Sequence, residues 1–109
     1  MPYYVQLILG GYDITGGHVY SLDAAGGAIP DKYTAGGSGS PYVFGVLEDL
    51  YKEGLTVDEG VDIAIRAIKA SKSRDSASGG MTNIAVITKD GFKPISQEEV
   101  AKRLEKITK

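Results

Sequence analysis

The chain has 109 residues, 42% of them hydrophobic and 24% charged, enough apolar material for one core at residues 1–109, which excludes both a multidomain and a disordered chain. The absence of cysteine excludes a disulfide framework, a thiolate metal site and a cysteine nucleophile, and leads us to expect a cytoplasmic protein. The formal net charge of -2 divides unevenly: residues 1–65 carry two lysines against nine carboxylates, and residues 66–109 carry ten basic residues against five acids.

The later cations alternate with acids on predicted helix faces, so the asymmetry is not read as a nucleic-acid arm. No apolar run approaches the roughly 20 residues of a membrane span, and no basic stretch opens the chain as a secretion signal would.

Glycine is abundant, 15 of 109 residues. The pairs Gly10-Gly11, Gly16-Gly17, Gly26-Gly27 and Gly36-Gly37 punctuate short runs rich in Tyr, Val, Ile, Leu and Thr, which predicts a three-stranded meander over about Tyr3–Gly10, His18–Asp23 and Lys32–Gly36. The first of these is apolar on both faces, with Tyr3, Val5, Leu7 and Leu9 on one side and Tyr4 and Ile8 on the other. That composition suits an interior strand, yet the strand opens the chain, so we expect a covering partner to be supplied from elsewhere.

A helix is predicted next, with Ser40 as cap, Pro41 in its first turn and Val43, Val46, Leu47 and Leu50 as an apolar stripe, ending before Gly54. Thr56 and Glu59 have the spacing of a capping box and open a second helix to about Ser71, with Val57, Val61, Ala64, Ile65 and Ile68 on its buried face. A loop over Arg74–Met81 leads to a strand at Asn83–Thr88, a type I′ turn at Asp90-Gly91 and a return strand at Phe92–Ile95. Ser96 and Glu99 form a second capping box, and Val100, Leu104 and Ile107 stripe the last helix. The order is α+β, with antiparallel strands and three helices.

Two loops attract chemical interest. Gly36-Gly37-Ser38-Gly39-Ser40-Pro41 joins a strand to a helix and reads either as an anion cradle at the helix dipole or as a structural loop and cap; it lacks the lysine of a P-loop and the glycine spacing of a nucleophile elbow. Arg74-Asp75-Ser76-Ala77-Ser78-Gly79-Gly80 holds a carboxylate and hydroxyls that could orient a nucleophile's protons or simply close an Asx or serine turn. His18, the single histidine, has no ligating companions, so no metal site and no serine triad is expected, and no cofactor. A secondary amine at Pro2, exposed on removal of Met1, is a third candidate for base chemistry.

Met1–Gly11, Ser21–Gly27, Gly36–Pro41, Thr56–Val61, Arg74–Met81 and Asn83–Thr88, taken together in their order and spacing, resemble archaeal proteasome β subunits. The resemblance covers essentially the whole chain but only the C-terminal half of the family's subunit. It implies part of the four-layer αββα sandwich of N-terminal nucleophile hydrolases. It also implies a parent threonine endopeptidase that degrades unfolded polypeptide in a barrel-shaped complex, by the hydroxyl and α-amino group of an N-terminal threonine assisted by a lysine.

On this resemblance Ser38 matches a serine that approaches the threonine's amine, and Asp75 and Ser78 match the carboxylate and hydroxyl completing that network. Asp23 matches a residue lining a substrate pocket of the adjacent subunit. The helices at 40–53 and 56–71 resemble elements that join β subunits in stacked rings, so the expected partners are other β and α subunits or the missing N-terminal half, in a homo-oligomer. The nucleophile and its lysine are absent, and the chain alone is expected to be inactive. The alternative is a non-enzymatic fragment that self-associates through its exposed strands or helices.

Overall fold

The computed structural model describes residues 7–13, 15–22, 27–75 and 81–108. Its element order is three strands, two helices, two strands and a helix, as the sequence pattern predicts: β1 (Leu7–Asp13), β2 (Gly16–Leu22), β3 (Ala28–Asp31), α1 (Ser40–Leu50), α2 (Val57–Arg74), β4 (Ala85–Thr88), β5 (Gly91–Pro94) and α3 (Gln97–Thr108). The strands form an antiparallel sheet in the order β1-β2-β3 and an antiparallel β4-β5 hairpin. The protein is α+β.

Several boundaries differ from expectation, each for a local reason. Gly10 and Gly11 lie inside β1 and pair with Val19 and His18; the chain reverses later, where Gly16 takes φ +118, a conformation costly for other residues. The third strand is Ala28–Asp31, not Lys32–Gly36. Pro30 is tolerated because β3 is an edge strand of this sheet and needs no outward N–H, while Tyr33 and Thr34, strand formers by propensity, are drawn into side-chain contacts described below. β1, read as interior, is also an edge among the described strands.

Gly39, not Ser40, is the N-cap of α1, and no side chain caps that end. In α2 the capping box is complete: Glu59 N–H donates to Thr56 Oγ1 and Thr56 N–H to Glu59 Oε1, both at 3.1 Å. At α3 only half the box forms, since Glu99 N–H donates to Ser96 Oγ at 3.1 Å while the Glu99 carboxylate accepts from Arg103 Nε at 3.0 Å. The β4-β5 turn is not type I′, which would need positive φ at both Asp90 and Gly91. Gly91 alone has it, at φ +104, after a two-residue Lys89-Asp90 turn between the paired Thr88 and Gly91.

The core lies between α2, α3 and one face of the β4-β5 hairpin. Val61, Ile65 and Val100 are buried, with Ile84, Val86, Ile95, Leu104 and Ile107 packed around them. Ala67 and Ser71 of α2 are also buried, and α2 is packed against α1 as well. Val57, expected on the buried face, is 54% exposed in the first turn.

Helix α3 is tied to the start of α2 by Arg103. Its guanidinium reaches Asp58 Oδ1 at 2.5 Å, Asp62 Oδ1 at 2.9 Å and Glu99 Oε1 at 3.0 Å, and Nη1 also donates to the Asp58 carbonyl at 3.3 Å. These partners, Asp58 foremost, hold its pKa above the ordinary arginine value. The far face of the hairpin carries the cross-strand pair Ile87 and Phe92, and both are exposed.

Candidate functional site

The glycine loop and the end of α2 meet. Ser38 Oγ donates a hydrogen bond to Asp75 Oδ2 at 2.6 Å, a short distance typical of an ionised acceptor. Asp75 is the C-cap of α2, and its N–H donates to the carbonyl of buried Ser71 at 2.8 Å. The backbone that carries the carboxylate is therefore held by the helix that ends there. Ser38 stands just before the α1 cap on an exposed loop, with Gly37 at φ +93 and the Gly37 carbonyl accepting from Ser40 N–H at 3.2 Å.

This arrangement has a definite chemical polarity. Ser38 commits its proton to Asp75, which leaves its oxygen lone pairs as acceptors, and a hydroxyl donating to a carboxylate becomes a better acceptor by polarisation. The pair is suited to receive an N–H donor, an amine or ammonium above all, with the carboxylate supplying the compensating charge. Beside it lies a cleft of about 530 Å³ bounded by Ser38 and Gly39, by Ser71 and Lys72 of α2, and by Thr82 and Asn83.

Of the four residues singled out in the sequence, the structure brings Ser38 and Asp75 together. Ser78 and Asp23 lie outside the described residues, as does Pro2. No group of three or more His, Cys, Asp or Glu side chains that could hold a metal ion occurs among the described residues.

His18 has a local role in the β1-β2 hairpin. Its Nε2 lies 2.7 Å from Thr15 Oγ1 and 3.1 Å from Asp13 Oδ1, and Thr15 donates to the same Asp13 oxygen through its amide at 2.8 Å and its hydroxyl at 2.6 Å. Thr15, then His18, hold the Asp13 carboxyl below its ordinary pKa. Threonine and aspartate address the same ring nitrogen, whereas a proton relay uses both, so the trio closes a turn.

Sequence reasoning missed two features. The Arg103 cluster draws on two helices distant in sequence. Around the glycine loop, Lys32 Nζ pairs with Glu53 Oε1 at 2.5 Å, the Tyr33 ring lies 5.0 Å from Tyr51 and 6.3 Å from Phe44 between centroids, and Thr34 Oγ1 is hydrogen-bonded to Ser21 Oγ at 2.9 Å. All seven tyrosines precede Lys52, a bias compatible with such aromatic contacts but silent on which rings meet.

Antiparallel strands with helices packed on one face, and a serine and a helix-terminal carboxylate joined at the end of a glycine loop, define the class as an α+β scaffold with a polar site between helix ends. The family model described as Proteasome subunit matches residues 1–87, and the chain belongs to the proteasome subunit family. It is 57% identical over 108 residues to the Proteasome subunit beta of Thermoplasma acidophilum, covering 98% of this chain and 51% of that protein. With the Proteasome subunit beta of Methanothermobacter thermautotrophicus it shares 51% identity over 107 residues, covering 97% of this chain and 51% of the relative. The chain thus spans about half the length of the curated relatives it matches. No helix among the described residues is long and apolar enough to cross a membrane.

Proposed function

We propose that this chain supplies the C-terminal half of a β-type proteasome subunit, a threonine endopeptidase that degrades unfolded polypeptide inside a barrel of α and β subunits in the cytoplasm. The observation that carries the reading is the 2.6 Å hydrogen bond from Ser38 to Asp75, which presents an acceptor oxygen backed by negative charge. In the complete site the threonine hydroxyl attacks the peptide carbonyl while its proton passes to the threonine's own α-amino group. Ser38 accepts from that nitrogen, and Asp75 stabilises the ammonium formed. Ser78 completes the network as a second hydroxyl. Asp23 lines a substrate pocket of the neighbouring subunit, where its charge biases side-chain preference.

The test is a chimera in which residues 1–109 replace the matching half of the Thermoplasma acidophilum β subunit, produced with α subunits from the same organism. The expected result is an assembled particle that hydrolyses fluorogenic peptides and loses at least tenfold in kcat on Asp75→Asn. An assembled particle unaffected by that change overturns the reading. The 109-residue chain by itself is expected to hydrolyse none of these peptides.

The exposed Ile87 and Phe92 pair favours a second reading, in which isolated copies self-associate through exposed strands or helices. Light scattering of the purified chain that gives only monomer counts against it.

A further inference from the structure

Ser38 is the one residue of Gly36-Gly37-Ser38-Gly39 with a side chain, and glycines restrict their neighbours little. Its side chain is held by Asp75, and the backbone that carries it is set by what lies on either side. On the C-terminal side the answer is the helix: the Gly39 carbonyl accepts from Tyr42 N–H at 3.1 Å and Val43 N–H at 3.3 Å, and Gly39 is buried. On the N-terminal side three successive residues are each held by a different part of the molecule. Lys32 is paired with Glu53 beyond the end of α1. Tyr33 is placed against Phe44 of α1 and Tyr51 at its C-cap. Thr34 is bonded to Ser21 in the central strand of the sheet.

We infer that Lys32-Tyr33-Thr34 is a clasp in which Tyr33 and Thr34 act as positioning residues for Ser38, an inference that rests on the reading of Ser38 given above. Tyr33 contributes through its ring, since half-buried aromatic pairs at these centroid distances add packing with a preferred geometry. Its Lys32 neighbour, in a fully solvated ion pair, contributes little. Thr34 contributes through one hydroxyl, which fixes the loop to β2. Loosening the clasp leaves Ser38 held by Asp75 and the start of α1 alone, on a glycine-rich segment that can shift, and small displacements of a positioned group are costly in rate.

The test uses the assembled chimera and separates kcat from KM. Tyr33→Leu is expected to lower kcat about tenfold with KM within about twofold, and Tyr33→Phe to keep at least half of the parent kcat. Thr34→Val, nearly isosteric, is expected to lower kcat about threefold in particles that assemble as the parent does, with Thr34→Ser restoring it. Ser38→Ala is measured alongside. Parental kcat in Ser38→Ala overturns both the functional reading and this inference. A damaged Ser38→Ala beside parental kcat in Tyr33→Leu and Thr34→Val overturns the inference alone. Should Tyr33→Leu fail to assemble, Thr34→Val decides by itself, and an unchanged kcat there refutes the clasp.

Discussion

Ser38 and Asp75 stand 37 positions apart in the chain and meet through a 2.6 Å hydrogen bond that joins the start of α1 to the end of α2. Because Ser38 is exposed, removing its hydroxyl costs the fold little. A hydrogen bond to a charged group is worth about 1.5–3 kcal/mol, so where the pair serves a reacting amine, Ser38→Ala is expected to reduce kcat of the assembled chimera by roughly 10- to 100-fold. Its Tm should stay within a few degrees of the parent. Peptide turnover and calorimetry on the same particles check the two halves of that statement.

Arg103 carries a different load. Its side chain is 18% exposed, and it neutralises carboxylates that are themselves 76% exposed at Asp58, 43% at Asp62 and 44% at Glu99. Breaking a buried pair costs about 3–5 kcal/mol, but these partners are screened, so Arg103→Met is expected to destabilise the chain by about 1–2 kcal/mol. Arg103→Lys should recover less than half of that, because one ammonium cannot reproduce three directed contacts. Urea melts in low and high salt check both variants, with the loss smaller in high salt.

Acid should loosen the start of α2. Thr56, through its backbone N–H first and its hydroxyl second, holds the Glu59 carboxyl below its ordinary pKa. A depressed carboxyl contributes stability that is complete above its unfolded value and is lost as pH falls through the folded one. The Tm difference between the parent and Glu59→Gln is therefore expected to be constant at neutral pH and to shrink below about pH 4.3. A gap that widens on acidification would contradict the assignment.

Two apolar residues should respond in opposite ways. Ile65 is 1% exposed at the centre of the packing between α2, α3 and the hairpin, so Ile65→Ala is expected to cost about 2–5 kcal/mol. Phe92 is 69% exposed, and Phe92→Ala should change the stability of the isolated chain by no more than about 0.5 kcal/mol. In the chimera the same change should reduce the yield of assembled particle, because an exposed apolar side chain is where a covering layer gains most. Denaturant melts and size-exclusion profiles distinguish the two effects.

Elements governed by local rules were legible in the sequence. The capping box at Thr56 and Glu59, the period of Val61, Ile65 and Ile68, and the glycine after Asp90 each name a structure within a few residues. Where two local uses compete, pattern fails: Glu99 has the spacing of a box yet spends its carboxylate on Arg103, and Tyr33 and Thr34 look like strand residues until their ring and hydroxyl find partners outside the ladder. Arg103 was invisible because Asp58 and Asp62 lie 45 and 41 positions upstream, and only the packing of α3 on α2 brings them near. The meeting of Ser38 with Asp75 follows from no spacing rule. It was anticipated through likeness to a family.

Helix α2 also serves as a ruler. Thr56 pins its first turn and Asp75 closes its last, with 18 residues between, a span of about 27 Å at 1.5 Å per residue. Deleting a single residue anywhere along it would shorten that span by about 1.5 Å and swing the terminal carboxylate around the axis by roughly 100°, out of reach of the serine waiting at the other helix. A side chain on the exposed face of α2 can change without moving that carboxylate; the number of residues cannot.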